Sequence, residues 1–159
     1  RGLPGSGKSY KAKQLCHLHQ NLGKTVLILS TDDYFINRNT NVYEFNSKLL
    51  GIAHQWNLQR AKNAIENKVE VVIIDNTNTQ SWEAKPYATI ALQDGSYSID
   101  VQEPDSEWWR ERDLSKMLLF NTHQVSQETL ERMMERWEDI SLFKRSIQQI
   151  HLKGLKRRH

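Results

Sequence analysis

A glycine-rich segment at the start of the chain limits its possible folds more than any other feature. Residues 2–9 read Gly-Leu-Pro-Gly-Ser-Gly-Lys-Ser and match the pattern G-x-x-x-x-G-K-[ST] of a phosphate-binding loop. In such a loop the glycines let backbone N–H groups point at phosphate oxygens, and the following helix adds a partial positive charge. We therefore predict that Lys8 contacts the phosphates of ATP and that the Ser9 hydroxyl reaches Mg²⁺. The residues predicted to contact the nucleotide are Gly2, Pro4, Gly5, Ser6, Gly7, Lys8, Ser9 and Tyr10.

Apolar runs and amphipathic segments alternate after this loop. The predicted strands are residues 25–29, residues 69–74 and, more weakly, residues 97–102. The predicted helices are residues 9–21, 47–67 and 81–93, and a long helix that begins near Ser126. This order predicts an α/β chain with the three-layer P-loop nucleoside triphosphate hydrolase fold and a mainly parallel sheet. We expect the strand that precedes the loop in this fold to lie upstream of Arg1. The context favours a phosphate-binding loop over a glycine-rich turn that binds no nucleotide.

Two consecutive carboxylates follow the first predicted strand. Asp32 and Asp33 lie in the sequence Ser-Thr-Asp-Asp-Tyr-Phe at residues 30–35. Ligands of open parallel sheets bind beyond the carboxyl ends of the strands, so we expect this pair to face the same crevice as the loop. A carboxylate there can accept the proton of an attacking hydroxyl, whereas a turn or a helix cap is the alternative use.

Polar residues also follow the second predicted strand, at Asp75, Asn76, Thr77 and Asn78. An aspartate after an apolar strand is typical of a Walker B carboxylate, so we predict that Asp75 and Ser9 organise Mg²⁺. Asn76 and Thr77 are predicted to orient water or phosphate. A purely structural turn at the end of the strand is the alternative.

Further motifs follow one another in order along the chain. They are residues 1–9, 30–35, 53–57 with 60–61, 74–78, 82, 85–87, 103–104, 108–109 and 121–123. Together they resemble the P-loop kinase domain family of the NEDD-four-binding protein two type, over nearly the whole chain to about Glu138. That family is similar to polynucleotide 5′-hydroxyl kinases, which use ATP to phosphorylate the 5′ ends of DNA or RNA. The resemblance implies that Asp32 is the catalytic base and that Lys8 and Ser9 hold phosphate and magnesium.

The chain departs from the pattern of the kinases it resembles at two places. Viral-type polynucleotide kinases have an arginine three residues after the base, where this chain has Phe35, and Arg38 is a candidate replacement. Their lid has an Arg-Arg-Asn stretch, where residues 119–121 read Leu-Phe-Asn. Loss of an arginine that acts in the transition state lowers the rate by around 10³-fold. Arg112 and Lys116 are candidates for its charge, and an exposed basic face is the alternative explanation of that pair.

These features favour ATP-dependent phosphoryl transfer to the 5′-hydroxyl of a polynucleotide. The alternatives are a nucleotide-binding adaptor without efficient catalysis and a P-loop kinase that acts on a small metabolite. The residues predicted to bind the acceptor are Asp33, Arg38, Arg60, Asn76, Thr77 and Asn78. For Arg60, a solvated position or one at the edge of the core is the alternative.

Size and composition fit one domain of this kind. The 159 residues contain no linker or repeat, and we predict a P-loop kinase-like domain at residues 1–150 and a basic tail at residues 151–159. A solvated terminus explains the tail as well as binding to a phosphate backbone does. One cysteine, no signal peptide and no apolar run that spans a bilayer predict a cytoplasmic or nuclear location and no membrane partner.

Overall fold

The computed structural model describes the chain from Arg1 to Lys156 as a mixture of helices and a parallel sheet. The helices are α1 Lys8–Asn21, α2 Leu50–Glu66, α3 Ser81–Asp94, α4 Glu107–Arg110, α5 Leu114–Phe120, α6 Gln127–Glu135 and α7 Ile140–Lys156. The strands are β1 Val26–Leu29 and β2 Val71–Ile74, and 3₁₀ helices occupy Thr31–Phe35 and Ser47–Leu49. The first three predicted helices and the first two predicted strands are thereby confirmed.

The chain forms two compact units, and the first comprises Ser9–Asn76. Its strands β1 and β2 pair in parallel, from Val26 opposite Val71 to Leu29 opposite Ile74. The connection between them contains α2, which packs on both strands and completes a βαβ unit.

The second unit comprises residues 1–8 together with the chain from Thr77 onward. Helices α3 and α7 pack against each other through Ala88, Phe143 and Ile147, which are all buried. A second buried cluster joins the loop segment to the later helices through Leu3, Trp109, Met117 and Leu130, each no more than 1% exposed. Burial of these large side chains contributes about 1.5–3 kcal/mol each to folding, which fixes the loop segment against the helices.

The predicted long C-terminal helix is wrong, because it is two helices. Ser126 does cap the first of them, accepting a hydrogen bond from the Thr129 N–H at 3.2 Å. The chain leaves the helix after α6 because Glu138 is bound elsewhere: its N–H donates to the Thr79 carbonyl at 2.9 Å, and its carboxylate accepts from the Ser81 N–H at 2.8 Å. Asp139 then accepts from the Ser141 N–H at 2.8 Å at the start of α7.

Two other expectations have different outcomes. The predicted strand at residues 97–102 is not a strand, although the Arg1 main-chain nitrogen donates to the Gln102 carbonyl at 2.7 Å. One such bond does not make a ladder. The predicted boundary of the basic tail stays a prediction, since α7 continues through Lys156 and residues 157–159 lie outside the described residues.

Candidate functional site

The glycine-rich segment has the curled backbone that a phosphate-binding loop requires. Gly5 and Gly7 have φ angles of +77° and +92°, in the left-handed region that favours glycine. The Ser6 N–H between them donates to the Leu3 carbonyl at 3.0 Å and closes a tight turn. Helix α1 begins at Lys8, so the loop leads into a helical turn whose N–H groups have no partner within the helix. This arrangement fits an anionic ligand.

Contacts within the second unit hold the loop in this shape. A Cβ atom on Gly5 would lie 1.9 Å from the Met117 carbonyl oxygen, so a larger residue does not fit without a backbone shift. The Trp108 indole N–H donates to the Gly5 carbonyl at 2.9 Å, and the Ser106 hydroxyl donates to the Ser6 carbonyl at 2.7 Å. Because the Ser6 carbonyl binds the Ser106 hydroxyl, the Gly7 N–H on the opposite side of the same peptide unit can meet a phosphate.

The side chains predicted to contact the nucleotide differ in exposure. Ser6 is buried, and a Cβ atom on Gly2 would lie 2.6 Å from its hydroxyl oxygen, so that hydroxyl packs against the loop itself. Lys8 is half-buried, whereas Ser9 and Tyr10 are exposed, Tyr10 by 70%. The Ser6 side chain therefore belongs to the loop structure, whereas Lys8 and Ser9 can offer their side chains to a ligand.

Arg1, the residue immediately before the loop motif, is a buried anchor that the motif does not include. Its side chain is 1% exposed. The guanidinium donates to the carbonyls of Asn78, Thr79 and Glu138 at 3.1, 3.1 and 2.6 Å. These bonds fix the start of the loop to the segment after β2 and to the break between α6 and α7.

The surroundings of Arg1 combine a carboxylate with aromatic rings. The guanidinium lies 3.7 Å from the Glu103 carboxylate, and its carbon lies 3.9 and 4.0 Å from the ring centres of Trp137 and Phe143. Burial lowers the pKa of Arg1 to about 10, against the opposing effect of Glu103 and Glu138. Arg1 therefore stays charged at neutral pH.

In the first unit, the acidic pair lies in the 3₁₀ helix that follows β1, and Asp33 has a structural use. The Ser30 hydroxyl accepts from the Asp32 N–H at 3.2 Å, and the Asp33 carboxylate accepts from the Ser30 N–H at 3.4 Å. Arg60 on α2 donates to the same carboxylate oxygen of Asp33 at 3.0 Å. Asp33 therefore caps the 3₁₀ helix, which is the alternative use considered for the acidic pair.

Arg60 is bound on several sides by protein groups. Besides Asp33, it donates to the side-chain oxygen of Asn57 at 3.2 Å, and its guanidinium carbon lies 4.3 Å from the ring centre of Trp56. Asn57 is fully buried. These contacts favour a role in positioning the acidic segment over direct contact with an acceptor.

The neighbouring Asp32 has a different partner. The Tyr43 hydroxyl donates to the Asp32 carboxylate at 3.2 Å. Burial raises the pKa of Tyr43 well above its usual range, and the negative charge of Asp32 and the hydrogen bond to it act in the same direction. Tyr43 thus remains a hydrogen-bond donor, and its hydroxyl orients the Asp32 carboxylate.

The polar residues after β2 are mostly buried. Asp75 and Asn76, both in the first unit, are each 7% exposed, and the Asn76 side chain accepts from the Thr31 N–H at 2.9 Å. In the second unit, the Thr77 carbonyl accepts from the Gly2 N–H at 3.1 Å, while Asn78 is 8% exposed. Asn76 therefore orders the segment after β1, and Thr77 the start of the loop.

The Leu-Phe-Asn stretch at residues 119–121, which the resemblance aligns with a kinase lid, begins with two apolar side chains. Leu119 is 77% exposed. The Phe120 ring lies 4.8 Å from the Trp108 ring, centre to centre. The Asn121 side chain donates to the Val125 carbonyl at 2.8 Å and orders the following turn.

Both candidate replacements for the lid arginine contact protein groups. Arg112 donates to the Trp109 carbonyl at 2.7 Å, and its guanidinium carbon lies 3.9 Å from the Trp109 ring centre. The Lys116 ammonium lies 3.9 Å from the Asp113 carboxylate. Lys116 is 48% exposed and hence the more adaptable of the two.

Sequence reasoning missed Tyr43 and the anchoring role of Arg1. Tyr43 is 11 residues from Asp32, beyond a loop without periodicity, so no spacing rule connects them. Arg1 was identifiable only by its place next to the motif. Arg38, the candidate acceptor residue, is exposed in the turn that precedes Tyr43.

Comparison with known proteins places this geometry in a family. The family described as an AAA domain matches residues 1–140. The chain therefore belongs to this family of nucleotide-binding, kinase-like P-loop proteins, and it has their three-layer α/β fold. Human NEDD4-binding protein 2 is 45% identical over 138 residues, which are 87% of this chain. The chain spans 7% of the length of that relative.

Among residues 1–156, the structure contains no helix that is both long enough and apolar enough to cross a bilayer.

Proposed function

We propose that the chain transfers the γ-phosphoryl group of ATP to the 5′-hydroxyl of a polynucleotide. The observation that carries this proposal is the asymmetry of the acidic pair. Asp33 is held by Arg60 and by the Ser30 N–H, whereas Asp32 accepts a hydrogen bond from Tyr43. The Asp33 carboxylate thereby caps the segment, and the Asp32 carboxylate is oriented by the Tyr43 hydroxyl.

In the proposed reaction the loop binds the nucleotide. The backbone from Gly5 to Ser9 surrounds the phosphates and contacts their oxygens through its N–H groups, except that of Ser6, which donates to the Leu3 carbonyl. The Lys8 ammonium neutralises charge on the β- and γ-phosphates. Since the loop glycines are already in the left-handed region, little backbone entropy is lost on binding. The family generally binds its nucleotide with Mg²⁺.

Ser9 and Asp75 have the chemistry that suits magnesium. A hydroxyl and a carboxylate are hard oxygen donors, and the low exposure of Asp75 favours pairing with a cation. When bound, Mg²⁺ would neutralise negative charge on the nucleotide phosphates.

Asp32 would accept the proton of the attacking hydroxyl. The acceptor oxygen forms a bond to the γ-phosphorus, the bond to the bridging oxygen of ADP breaks, and the hydroxyl proton moves to the Asp32 carboxylate. Tyr43 positions that carboxylate through its hydrogen bond. Such an acceptor fits the cytoplasmic or nuclear location predicted from the sequence.

Transfer of labelled phosphate from ATP tests the proposal. The full-length protein is incubated with Mg²⁺ and either a 5′-hydroxyl oligonucleotide or the same oligonucleotide already phosphorylated at its 5′ end. We expect label in the first acceptor alone, its loss in Lys8→Ala, and its retention in Lys13→Ala, an exposed lysine on the same helix. Equal labelling of both acceptors, or unchanged transfer by Lys8→Ala, would contradict the proposal.

The lid supports a second candidate, a nucleotide-binding adaptor without efficient catalysis. Its basis is the Leu-Phe-Asn stretch at residues 119–121, together with the protein contacts of Arg112 and Lys116. Leu119→Arg tests it, because Leu119 is 77% exposed and its replacement removes little packing. An increase in transfer rate on this substitution indicates a site that lacks only the lid charge. Tight nucleotide binding with no transfer by either form supports the adaptor.

A kinase for a small metabolite is the remaining catalytic alternative. A competition experiment separates it from the main proposal. Unlabelled 5′-hydroxyl oligonucleotides or small sugars are added to the same transfer reaction, and the inhibition by each is measured. Inhibition by sugars alone would favour the metabolite kinase.

A further inference from the structure

The chain between Phe35 and Asn46 forms a short hairpin, which we call the aromatic hairpin (residues 36–45). Ile36 and Tyr43 form an antiparallel bridge, and the Asn37 N–H donates to the Val42 carbonyl at 2.8 Å. The Glu44 N–H donates to the Phe35 carbonyl, also at 2.8 Å. These bonds give the hairpin a defined backbone within the first unit.

Apolar side chains on this hairpin are exposed to an extent that packing does not explain. Phe45 and Val42 are each 53% exposed, and Ile36 is 39% exposed. The Phe45 ring is nonetheless fixed, because its centre lies 5.0 Å from that of Phe35, which is 4% exposed. A fixed aromatic ring with half of its surface in solvent is suited to contact another molecule.

The rings of the hairpin lead towards the candidate base. Phe45 and Tyr43 are nearly parallel, at 13°, with ring centres 6.5 Å apart. The hydroxyl at the far end of Tyr43 donates to Asp32 at 3.2 Å. A planar group stacked on this pair of rings would therefore lie close to the Asp32 carboxylate, the proposed acceptor of the hydroxyl proton.

Two exposed cations lie close to the rings in the sequence. Arg38 lies on the turn of the hairpin, and Lys48 lies just after it. The carboxylate of Glu44 accepts from the Asn37 side chain at 3.4 Å and so has a partner inside the hairpin. Aromatic faces on a segment that also carries exposed cations match single-stranded nucleic acid, in which each base offers a flat ring and each linkage a negative charge.

We propose that the aromatic hairpin is a stacking platform for the first bases of a single-stranded DNA or RNA acceptor. The platform deepens the proposed function and rests on it for the role of Asp32. A nucleic acid accounts for these features better than an apolar protein partner does. Its bases can stack on the parallel rings, its phosphates can meet the cations, and its 5′-hydroxyl can reach Asp32 beside Tyr43. Phe45 contributes the outer ring and Tyr43 the inner one.

Binding of a fluorescent 5′-hydroxyl oligonucleotide to the full-length protein without ATP tests the platform. Phe45→Leu keeps an apolar contact with Phe35 but removes the ring face. We expect it to weaken binding by about 5-fold or more, since stacking on an aromatic side chain contributes about 1–3 kcal/mol per base. Leu22→Ala, at a leucine that is 65% exposed after α1, is the matched control and should bind as the wild type does. Thermal melts verify that both variants fold.

A second oligonucleotide that lacks the bases of its first two nucleotides separates stacking from other effects. We expect the wild type to bind it as weakly as Phe45→Leu binds the intact oligonucleotide. Phe45→Leu should bind the two oligonucleotides equally. Equal binding of the two oligonucleotides by the wild type overturns the platform. Absence of oligonucleotide binding also overturns it.

Phosphate transfer measured on the same samples distinguishes the two proposals. Base-dependent binding through Phe45 without transfer supports the platform and contradicts the proposed kinase activity. Transfer that does not depend on Phe45 or on the terminal bases supports the activity and overturns the platform.

Discussion

The phosphate loop and the acidic segment after β1 are built in different ways. The loop depends on main-chain geometry, with two glycines at positive φ and two carbonyls bound by Ser106 and Trp108. The acidic segment depends on side chains, because Arg60 holds Asp33 and Tyr43 contacts Asp32 across a gap of 11 residues.

This difference determines how each region responds to substitution. A loop shaped by its backbone tolerates few residue types at its glycines. The side chains that hold it, Ser106 and Trp108, act on its main-chain carbonyls. In a segment shaped by side chains, substitutions that leave the backbone unchanged can separate the roles of neighbouring residues.

Gly5→Ala should have the largest effect, about 2–5 kcal/mol of lost stability together with loss of nucleotide binding. The left-handed φ costs about 1–2 kcal/mol for alanine, and the new Cβ would meet the Met117 carbonyl at 1.9 Å. Gly95→Ala is the control, since Gly95 also has a positive φ, of +86°, but has nothing within 4 Å. We expect Gly95→Ala to cost about 1–2 kcal/mol in urea unfolding and to bind nucleotide normally. Similar losses of stability in the two variants would contradict a steric role for the Met117 carbonyl beside Gly5.

Arg1→Lys should cost about 2–3 kcal/mol in urea unfolding. Lysine keeps the charge but cannot reproduce the planar set of bonds to the carbonyls of Asn78, Thr79 and Glu138. Arg132→Lys, which alters an exposed pair with Glu128 on α6, should change stability by less than about 0.5 kcal/mol. If both substitutions have the same small effect, Arg1 is not the anchor described here.

Tyr43→Phe should have the smallest effect, about 0.5 kcal/mol near neutral pH, because the pair with Asp32 is partly exposed. The pKa of Tyr43 is raised in the folded state, so its hydroxyl stabilises the fold fully below the unfolded pKa of about 10. That contribution is lost as the pH rises through the folded pKa. The difference in unfolding free energy between wild type and Tyr43→Phe should therefore narrow from pH 8 to pH 10.5. A constant difference would contradict the assignment, and Tyr10→Phe, at an exposed tyrosine, serves as the control.

Local sequence patterns were sufficient for much of the fold. Helices α1, α2 and α3 and strands β1 and β2 were predicted because apolar spacing and turn residues specify them locally. The break between α6 and α7 was not predictable, because apolar spacing continues through it. Glu138 is held outside the helix by hydrogen bonds to Thr79 and Ser81. Ser81 lies 57 residues from Glu138 in the sequence, so no local pattern announces this contact.

Those parts of the candidate site that depend on the loop backbone and on the ends of the strands were predictable from the sequence. The loop motif specified its own glycines, and the end of β1 located the acidic pair. The sequence did not distinguish structurally between Asp32 and Asp33, because their partners Tyr43 and Arg60 come from a hairpin and from α2. Side-chain partners that are distant in sequence leave no periodic signal.

The most direct test of the central claim compares Asp32→Asn with Asp33→Asn in single-turnover phosphate transfer, with nucleotide binding and stability measured on each protein. We predict that Asp32→Asn lowers the transfer rate by about 10²- to 10⁴-fold without changing nucleotide affinity, as expected for removal of a catalytic base. Asp33→Asn should lower stability by less than about 1 kcal/mol, because its pair with Arg60 is partly exposed, and should retain most of the transfer rate. Equal loss of transfer in both variants, or a greater loss in Asp33→Asn, would contradict separate roles for the two carboxylates.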